Sequence, residues 1–496
     1  MSPTYPELFQ ALTAEVMVAA TAFIVLTVDL VASRRTDVKA RRQTAAIVVV
    51  GGLLLTMIQL VGQLGLGTNS RSLWDGVLVV SDLNLMFKVF ILGLTVLTAL
   101  ISMAYDVGKH VGEYFAILLF GAIGMLLLVG TEDLVMIFVA LELTSLSLYI
   151  LTAFHKNWLR SQEAALKYFM FGAIASAFLL FGMSYLIGAT GTTHLDAMKH
   201  AAVTGNNLAA LGLLFMLVGF GFKVAVVPFH LWAPDAYEGA PTPVTAFIAT
   251  GSKVASFVVL LKVMYFGLGG MMGSAFWGGF QPGWAMLLAL IAAASMILGN
   301  VVAIVQHNIK RMLANTSIAH AGYILIGLIA ATQVGAASVF FYLIVYSLTN
   351  LGAFGVVAAL ASRAGGETLS DFNGMARRAP FLSLTMLVFV LSLAGIPPLG
   401  GFFGKFYLFA AAVERDSEHF GLLWLVVLGI LASAVSLYYY LVLLKHLYVE
   451  KPADGSRIVT PFYLNVTLGC IALAVIGLGL FPEPILALLN SLASRL

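Results

Sequence analysis

Residues 221–247 read GFKVAVVPFHLWAPDAYEGAPTPVTAF, a stretch in which a lysine, a histidine and four prolines interrupt otherwise apolar sequence. Proline removes a backbone hydrogen bond and clashes with the preceding turn, so a helix that enters this stretch is expected to break near Pro228. At membrane depth, a broken backbone is tolerated only where protein or water satisfies its polar groups. We therefore expect Lys223 and His230 to line a hydrated cavity.

The chain as a whole has the composition of a polytopic membrane protein. Of its 496 residues, 61% are hydrophobic and only 10% are charged, whereas soluble proteins have about 25% charged residues. Apolar runs of about 20 residues cross the hydrocarbon core as helices, because each backbone polar group must be satisfied within the segment. The predicted fold class is all-α and polytopic, with about 14 transmembrane helices.

Charged and Gly- or Pro-rich breaks separate the apolar runs into predicted spans. In order they are 12–33, 43–64, 81–105, 114–130, 131–154, 161–188, 207–232, 242–267, 283–305, 310–331, 334–362, 381–411, 419–445 and 460–490. The N-terminal sequence MSPTYPELFQ lacks the positive region of a cleavable signal, so we expect the first span to remain in the mature protein.

Lysine and arginine are unequally divided between the alternate loops. Of the 26 Lys and Arg, four fall in one set of loops: Arg71, Lys199, Arg415 and Arg495. Sixteen fall in the other set: Arg34, Arg35, Lys39, Arg41, Arg42, Lys109, Lys156, Arg160, Lys310, Arg311, Arg363, Arg377, Arg378, Lys445, Lys451 and Arg457. Because cytoplasmic loops carry the excess of these residues, both termini are predicted to face outward.

Six lysines remain inside the apolar segments: Lys88, Lys167, Lys223, Lys253, Lys262 and Lys405. A charge at a helix centre costs about 2.5–3.5 kcal/mol even on the insertion scale, so intramembrane lysines are functional candidates. Lys88 and Lys262 lie toward the ends of their spans, and we expect their side chains to snorkel to the membrane surface.

Glu142 lies about halfway along its span, in FVALELTSLSLYI, where burial disfavours a carboxylate unless a cation is near. Glu163 precedes Lys167 by four residues, so the two share one helix face and can pair. A bridge from Lys167 to Glu142 on the adjacent helix would explain why both are tolerated. The alternatives are a structural carboxylate for Glu142 and a helix-start carboxylate for Glu163.

Lys253 lies about three turns into its span, in ATGSKVASF, between small residues that allow close packing and leave room for water. Since burial disfavours the ammonium form, a lysine here can accept and release protons. His320, in LANTSIAHAGY, is a candidate proton relay. A hydrogen-bonded core histidine is the alternative interpretation of His320.

A second break is predicted in LSLAGIPPLGGFFGKFYLF, where Pro397 and Pro398 precede Lys405 by two turns. Two interrupted spans in corresponding positions indicate internal repeats, as in transporters. We predict a three-helix segment at 1–113, a first repeat of five helices at 114–267, a second repeat at 283–450 and a C-terminal helix at 460–496. An odd number of helices in each repeat makes the second repeat inverted.

Three separated motifs, PFHLWAPDAYEGAPTPVTAF, NIKRMLANTSIAHAGY and LAGIPPLGGFFGKFYLF, resemble the antiporter-like membrane subunits of respiratory complex I, the NADH:quinone oxidoreductase. The form APDAYEGAPTPVTAF is similar to the N type of these subunits. The resemblance covers essentially the whole chain. One departure is Asn315–Thr316, where relatives commonly have Tyr–Ser.

The resemblance implies proton translocation through Glu142, Lys167, Lys223, Lys253 and Lys405. From their own positions in the sequence, Glu163, His230 and His320 are candidate relays beside this path. It implies a bacterial inner membrane location, and partners among the other membrane and peripheral subunits of the complex. NADH, FMN, iron–sulfur clusters and quinone would then be bound by other subunits. The single Cys470 excludes an iron–sulfur cluster held by this chain alone, and we expect no cofactor, metal or nucleic acid here.

Three other functions compete with this interpretation. An Mrp-type cation/proton antiporter subunit has the same fold and needs no redox enzyme. A structural spacer with silent lysines is the second, which the paired breaks disfavour. Direct quinone binding is the third, but no motif distinguishes a quinone pocket from lipid-facing surface.

Overall fold

The computed structural model describes residues 5–32, 36–64, 71–74, 76–200, 205–364, 366–415, 421–452 and 455–494. Arg34, Arg35 and Arg495, which enter the loop charges above, lie outside these residues. Within the described part of the chain, 13 helices are long and apolar enough to cross a membrane. The remaining predicted span, 381–411, is two shorter helices around a break. The prediction of an all-α polytopic membrane protein is confirmed.

The spans are numbered α1 to α14, and the letters a and b mark the halves of a broken helix. They are α1 Thr13–Val31, α2 Val38–Val61, α3 Asp82–Ala104, α4 Val111–Val129, α5 Leu134–Thr152, α6 Leu159–Thr190, α7a Asn207–Val224, α7b Trp232–Gly239, α8 Thr242–Gly267, α9 Trp284–Ile304, α10 Ile309–Ala330, α11 Gln333–Ala364, α12a Pro380–Ala394, α12b Gly400–Glu414, α13 Leu423–Tyr448 and α14 Phe462–Leu480.

Short elements lie between and beyond the spans. The helices are Tyr5–Ala11, Leu195–His200, Gly269–Met271, Leu369–Phe372, Met375–Arg378 and Glu483–Ala493. Two antiparallel hairpins pair β1 (Arg71–Leu73) with β2 (Leu78–Val80) and β3 (Ser274–Phe276) with β4 (Gly279–Gln281).

The first break falls where the prolines predict it. α7a ends at Val224, Ala225 adopts a positive φ of 59°, and α7b begins at Trp232. Pro241 and Pro243 then mark the start of α8, because proline is tolerated in the first turn, where its missing N–H would have no partner.

The second break follows the same plan. α12a ends at Gly395, whose φ of 84° is the left-handed conformation that favours glycine at a helix C-terminus. The amides of Gly395 and Ile396 both donate to the carbonyl of Leu391, so they satisfy the end of the half-helix. α12b resumes at Gly400.

The residues group into two compact units. Unit 1 consists of the described residues in 1–224 and 239–272, and unit 2 of those in 225–238 and 273–495. Unit 1 therefore contains α1 to α7a and α8, and unit 2 contains the rest. The boundaries predicted above, at 1–113, 114–267, 283–450 and 460–496, stay a prediction, as does the inverted repeat.

Each unit has one helix with a fully buried stretch of 18 residues, α8 in unit 1 and α10 in unit 2. A helix that is apolar on all sides belongs in a core. α8 is not a regular helix, since π-helical segments at Ile248–Ser252 and Val263–Gly267 flank its central α-helical part. Such segments often mark functional sites, and Lys253 directly follows the first of them.

Candidate functional site

Lys223 occupies the last turn of α7a and is 6% exposed. Its Nζ donates to Ser145 Oγ on α5 at 2.7 Å, and Ser145 in turn donates to the Leu141 carbonyl at 2.6 Å. The Glu142 carboxylate lies within coulombic reach of Lys223. The lysine thus sits beside a carboxylate, but the hydrogen bond that the structure shows for it goes to a neutral oxygen.

Glu142 is half-buried on α5, and its Oε1 accepts a hydrogen bond from the Ser176 hydroxyl on α6. Lys167 forms an ion pair with Glu163 at 2.6 Å, with side-chain exposures of 41% and 63%. The pairing across one turn of α6 is therefore present. Lys167 lies on the exposed side of α6 and not deep in unit 1, and its bridge to Glu142 stays a prediction.

Lys253 is 2% exposed in the middle of α8. Its small neighbours bring the helix close to α4: a Cβ atom added at Gly251 would lie 3.2 Å from Met125 Sδ. The predicted close packing beside this lysine is confirmed. No sequence pattern pointed to the π-helical segment that precedes Lys253.

Lys405, on α12b, is the candidate lysine of unit 2. Its Nζ donates to the carbonyls of Leu393 at 3.0 Å and Ala394 at 3.2 Å, and to Ser433 Oγ at 2.7 Å. It also lies 5.0 Å from the ring centre of Tyr323. The ammonium therefore caps the C-terminus of α12a, where the helix carbonyls lack intrahelical donors and the helix dipole favours a cation.

His320 on α10 is 3% exposed and lies among tyrosines. Its Nδ1 is 2.6 Å from the Tyr342 hydroxyl and its Nε2 is 3.4 Å from the Tyr440 hydroxyl. A buried, hydrogen-bonded histidine satisfies the core interpretation and also supplies the geometry of a relay. His230 lies in the break between α7a and α7b. It is half-buried, and its Nδ1 has no hydrogen-bond partner among the described residues.

The sequence did not indicate the polar network around His320. Tyr346 donates to Ser317 Oγ at 2.7 Å, and Tyr439 donates to Asn300 Oδ1 at 2.7 Å. Asn300 also lies 3.3 Å from the Tyr323 hydroxyl, beside Lys405. Hydroxyl groups can both donate and accept a hydrogen bond, so a chain of them can pass a proton. Tyrosine in an apolar span carries no signal that separates this role from packing.

A second missed feature lies at the end of α7b. Arg311 Nη1 donates to Asp235 Oδ1 at 2.6 Å and to Glu238 Oε2 at 2.8 Å. Lys310, next to it, is 1% exposed and pairs with Glu367 at 3.0 Å. The PDAYEGAP motif therefore supplies carboxylates that tie α7b to the start of α10 within unit 2.

The expectation that Lys88 and Lys262 snorkel to the surface is wrong. Both are buried, at 5% and 1% exposure. Lys88 Nζ is 2.6 Å from Glu15 Oε1. Lys262 Nζ donates to Asn84 Oδ1 and the Val129 carbonyl, both at 2.8 Å, and lies 3.4 Å from Glu132 Oε1. Partners supplied by other helices make the buried position tolerable, so the lysine stems need not reach for water.

In the described residues, no group of three or more His, Cys, Asp or Glu side chains is placed to hold a metal ion. Among the buried candidate lysines, Lys223 and Lys405 donate to neutral oxygens, whereas Lys88 and Lys262 pair with carboxylates. Two multi-helix units with buried lysines beside helix breaks are typical of ion-translocating membrane proteins.

Comparison with known proteins defines this class. Residues 131–436 match the family described as NADH:quinone oxidoreductase/Mrp antiporter, TM, and the chain belongs to this family. The chain is 43% identical over 494 residues to NADH-quinone oxidoreductase subunit N 2 of Acidobacterium capsulatum, covering 97% of this chain and 99% of that relative.

Two solved structures are similar. A chain of respiratory complex I from Thermus thermophilus, solved with bound aureothin, is 33% identical with a TM-score of 0.78, over 96% of this chain and 98% of that one. A chain of the Mrp complex from Dietzia sp. is 21% identical with a TM-score of 0.83, over 98% of this chain and 97% of that one. The second likeness concerns the fold alone.

Proposed function

We propose that this chain is the N-type, proton-translocating and non-redox membrane subunit of an NADH:quinone oxidoreductase. Proton movement proceeds through Glu142, Lys167, Lys223, Lys253 and Lys405, with Glu163, His230 and His320 as relays. NADH, FMN, iron–sulfur clusters and quinone belong to the other membrane and peripheral subunits that this chain joins.

One observation carries the proposal: Lys223 and Lys405 are buried, and the hydrogen bonds shown for them go to neutral oxygens. A buried ammonium that is hydrogen-bonded to neutral oxygens can lose its proton without breaking a direct ion pair. Lys253 adds a third buried amine between small residues. Residues of this kind can change protonation state during a cycle without unfolding the helices around them.

We further propose that the chain lies in a bacterial inner membrane with both termini in the periplasm. The 16-to-4 division of loop Lys and Arg supports this orientation. Cysteines placed at Asp37 and Asn206 are expected to label from opposite sides of the membrane. Labelling of both from the same side would contradict the orientation.

The second candidate, an Mrp-type antiporter subunit, has the same fold in its favour. The relative named subunit N is 43% identical, against 21% for the Mrp chain, which favours the redox complex. The two are separated by purifying the native assembly through a tag on this chain. Co-purifying NADH-dependent quinone reductase activity supports the redox complex, and cation/proton exchange without it supports the antiporter.

The central test replaces Lys253 in membrane vesicles of the intact complex. Lys253→Met keeps much of the stem and deletes the titratable amine, whereas Lys253→Arg keeps a charge that is not released below pH 12. Both variants are expected to slow NADH oxidation and vesicle acidification by roughly tenfold or more, since a positioned acid or base commonly contributes 10²–10⁴-fold to a proton transfer.

Lys445→Met is the matched control, because Lys445 is a helix lysine whose side chain is 62% exposed. It is expected to pump normally. Complex abundance is checked on native gels for all three variants. Normal acidification in Lys253→Met at normal abundance would refute proton translocation through this lysine.

A further inference from the structure

The ammonium of Lys405 contacts an aromatic ring as well as its hydrogen-bond acceptors. Its Nζ lies 5.0 Å from the centre of the Tyr323 ring on α10. A ring face attracts a cation through its quadrupole at distances up to about 6 Å. Both residues belong to unit 2, and both are buried, so water does little to screen this attraction.

The ring differs from the other partners of Lys405 in what it distinguishes. The carbonyls of Leu393 and Ala394 and the Ser433 hydroxyl can accept a hydrogen bond from an ammonium or from a neutral amine. The ring quadrupole attracts the charge alone. The two carbonyls are also fixed by the backbone, whereas the position of the Tyr323 ring depends on the partners of its own side chain.

No carboxylate on the surrounding helices competes with the ring. The helices that pack against α12b are α10, α11, α12a, α13 and α14, and their sequences contain no Asp or Glu. Their lysines and arginines lie in the first or last turns. The titratable residues of their middle turns are His320, Tyr323, Tyr342, Tyr346, Tyr438, Tyr439, Tyr440 and Cys470. The negative partial charge beside the ammonium therefore comes from the ring and from neutral oxygens.

Asn300 on α9 holds the hydroxyl end of Tyr323. The Asn300 side chain is buried, and its Nδ2 donates to the Tyr323 hydroxyl at 3.3 Å and to the Met296 carbonyl at 2.7 Å. Its Oδ1 accepts from the Tyr439 hydroxyl on α13 at 2.7 Å. Because a carbonyl can only accept, Nδ2 must face Met296, and this makes Tyr323 the acceptor and Tyr439 the donor.

Gly299 and Gly322, which directly precede the two residues of this hydrogen bond, let α9 and α10 approach closely. A Cβ added at Gly299 would lie 2.7 Å from the Ala319 amide nitrogen, and one added at Gly322 would lie 2.8 Å from the Ala292 carbonyl oxygen. Neither position has room for a side chain. Backbone contact thus sets the distance across which the amide reaches the phenol.

The amide of Asn300 holds the two tyrosines but does not pass a proton between them. An amide offers fixed N–H donors and a carbonyl acceptor, whereas a hydroxyl can donate and accept through one atom. The single proton of the Tyr439 hydroxyl is also committed to Asn300. Asn300 is therefore suited to positioning and not to relay.

We propose that the Tyr323 ring selects the ammonium form of Lys405 over the neutral amine, and that Asn300 is the positioning residue that keeps the ring in place. This proposal rests on the proposed function above, in which Lys405 carries a proton. No proton passes to or from the ring. Its effect is to keep Lys405 loaded with a proton under conditions in which the buried amine would otherwise be neutral.

The test removes the ring, its hydroxyl or its anchor in membrane vesicles of the intact complex. Tyr323→Leu removes the ring, Tyr323→Phe keeps the ring without the hydroxyl, and Asn300→Leu keeps the ring without its anchor. NADH-driven acidification is measured over a range of pH, with complex abundance checked on native gels. Each rate is divided by the wild-type rate at the same pH, so that the pH dependence of the other subunits cancels.

For Tyr323→Leu, we expect this ratio to fall as the pH rises, because without the ring more of Lys405 is neutral and has no proton to supply. The fall should be roughly tenfold or more, which corresponds to a cation–π contact away from water. Asn300→Leu should show a smaller fall in the same direction. Tyr323→Phe should fall no further than Asn300→Leu, because its ring remains.

Phe341→Leu is the matched control, because Phe341 on α11 is also fully buried in unit 2 and its ring packs edge-on against Tyr407. Its ratio is expected not to change with pH. A ratio independent of pH in Tyr323→Leu, or an equal fall in Tyr323→Phe, would overturn the proposal. If Tyr323→Leu does not assemble, a ratio independent of pH in Asn300→Leu overturns it. If Lys253→Met stops pumping while the ratio of Tyr323→Leu does not change with pH, this proposal falls and the proposed function stands.

Discussion

The two broken helices place a lysine at the same kind of position but bond it differently. Lys223 is within the last turn of α7a and donates to one hydroxyl, with the charge of Glu142 nearby. Lys405 lies beyond the break of α12 and reaches back to two carbonyls that end α12a. One sequence pattern, prolines beside a lysine, thus yields an amine held by side chains in unit 1 and a cap on a helix end in unit 2.

Because their hydrogen-bond partners differ, the two lysines are expected to contribute differently to proton transport and to protein stability. Removing the Lys223 amine leaves a serine hydroxyl that still donates to the Leu141 carbonyl. Removing the Lys405 amine takes the donor from the buried Leu393 carbonyl and leaves the Ala394 carbonyl with only the Ser433 hydroxyl at 3.4 Å. We therefore expect both lysines to be needed for pumping, but only Lys405 to be needed for a stable half-helix.

The largest contrast is expected between Lys405→Met and Lys223→Met. Each unsatisfied buried carbonyl costs about 1–3 kcal/mol, so Lys405→Met should lower both the abundance and the thermal stability of the complex. Lys223→Met should keep normal abundance. Both should lose most of their acidification, for the reason given for Lys253. The measurements are native gels, thermal inactivation and vesicle acidification.

Lys405→Arg refines this contrast. The guanidinium can donate to the same carbonyls but does not release its proton. We expect it to restore abundance above the Met variant without restoring pumping. Equal abundance of Lys405→Met and Lys223→Met would contradict the capping role of Lys405.

A smaller effect is expected from Glu142→Ala, which acts on unit 1 alone. It removes the carboxylate charge near Lys223, while Lys167 keeps its ion pair with Glu163. Acidification should fall severalfold with assembly intact. The side chain in Glu142→Asp is shorter by one methylene but keeps the charge, so its acidification rate should lie between those of Glu142→Ala and the wild type. Wild-type acidification by an assembled Glu142→Ala complex would remove Glu142 from the pathway.

The spans and both breaks were predictable because they depend on local chemistry. Apolar length fixes where a helix can cross the bilayer, and proline fixes where it cannot continue. In the described part of the chain, twelve unbroken spans and the breaks at 225–231 and 395–399 follow from these two rules. The same rules placed Lys223 and Lys405 beside the breaks.

The partners of the buried lysines were not predictable because they come from distant parts of the chain. Lys88 binds Glu15, 73 residues away, and Lys262 binds Asn84, 178 residues away. A lysine near the end of a span has the same sequence signature whether it reaches water or a buried carboxylate. Lys167 is the opposite case. It lies two turns into a predicted span, yet its side chain is on the exposed side of α6, and the sequence does not indicate which side of the helix is exposed.

The smallest effects are expected from the two serines that accept from these lysines, and their difference completes the comparison. Interhelical hydrogen bonds in membrane proteins contribute about 0.6 kcal/mol on average, so neither Ser145→Ala nor Ser433→Ala should reduce abundance much. Lys405 keeps two carbonyl acceptors without Ser433, and Ser433→Ala should pump at close to the wild-type rate. Lys223 loses the hydrogen bond at 2.7 Å that positions its amine, so Ser145→Ala should pump measurably more slowly. Parallel acidification assays at matched abundance decide this point, and an equal loss in both variants would show that the two lysines depend on their serines alike.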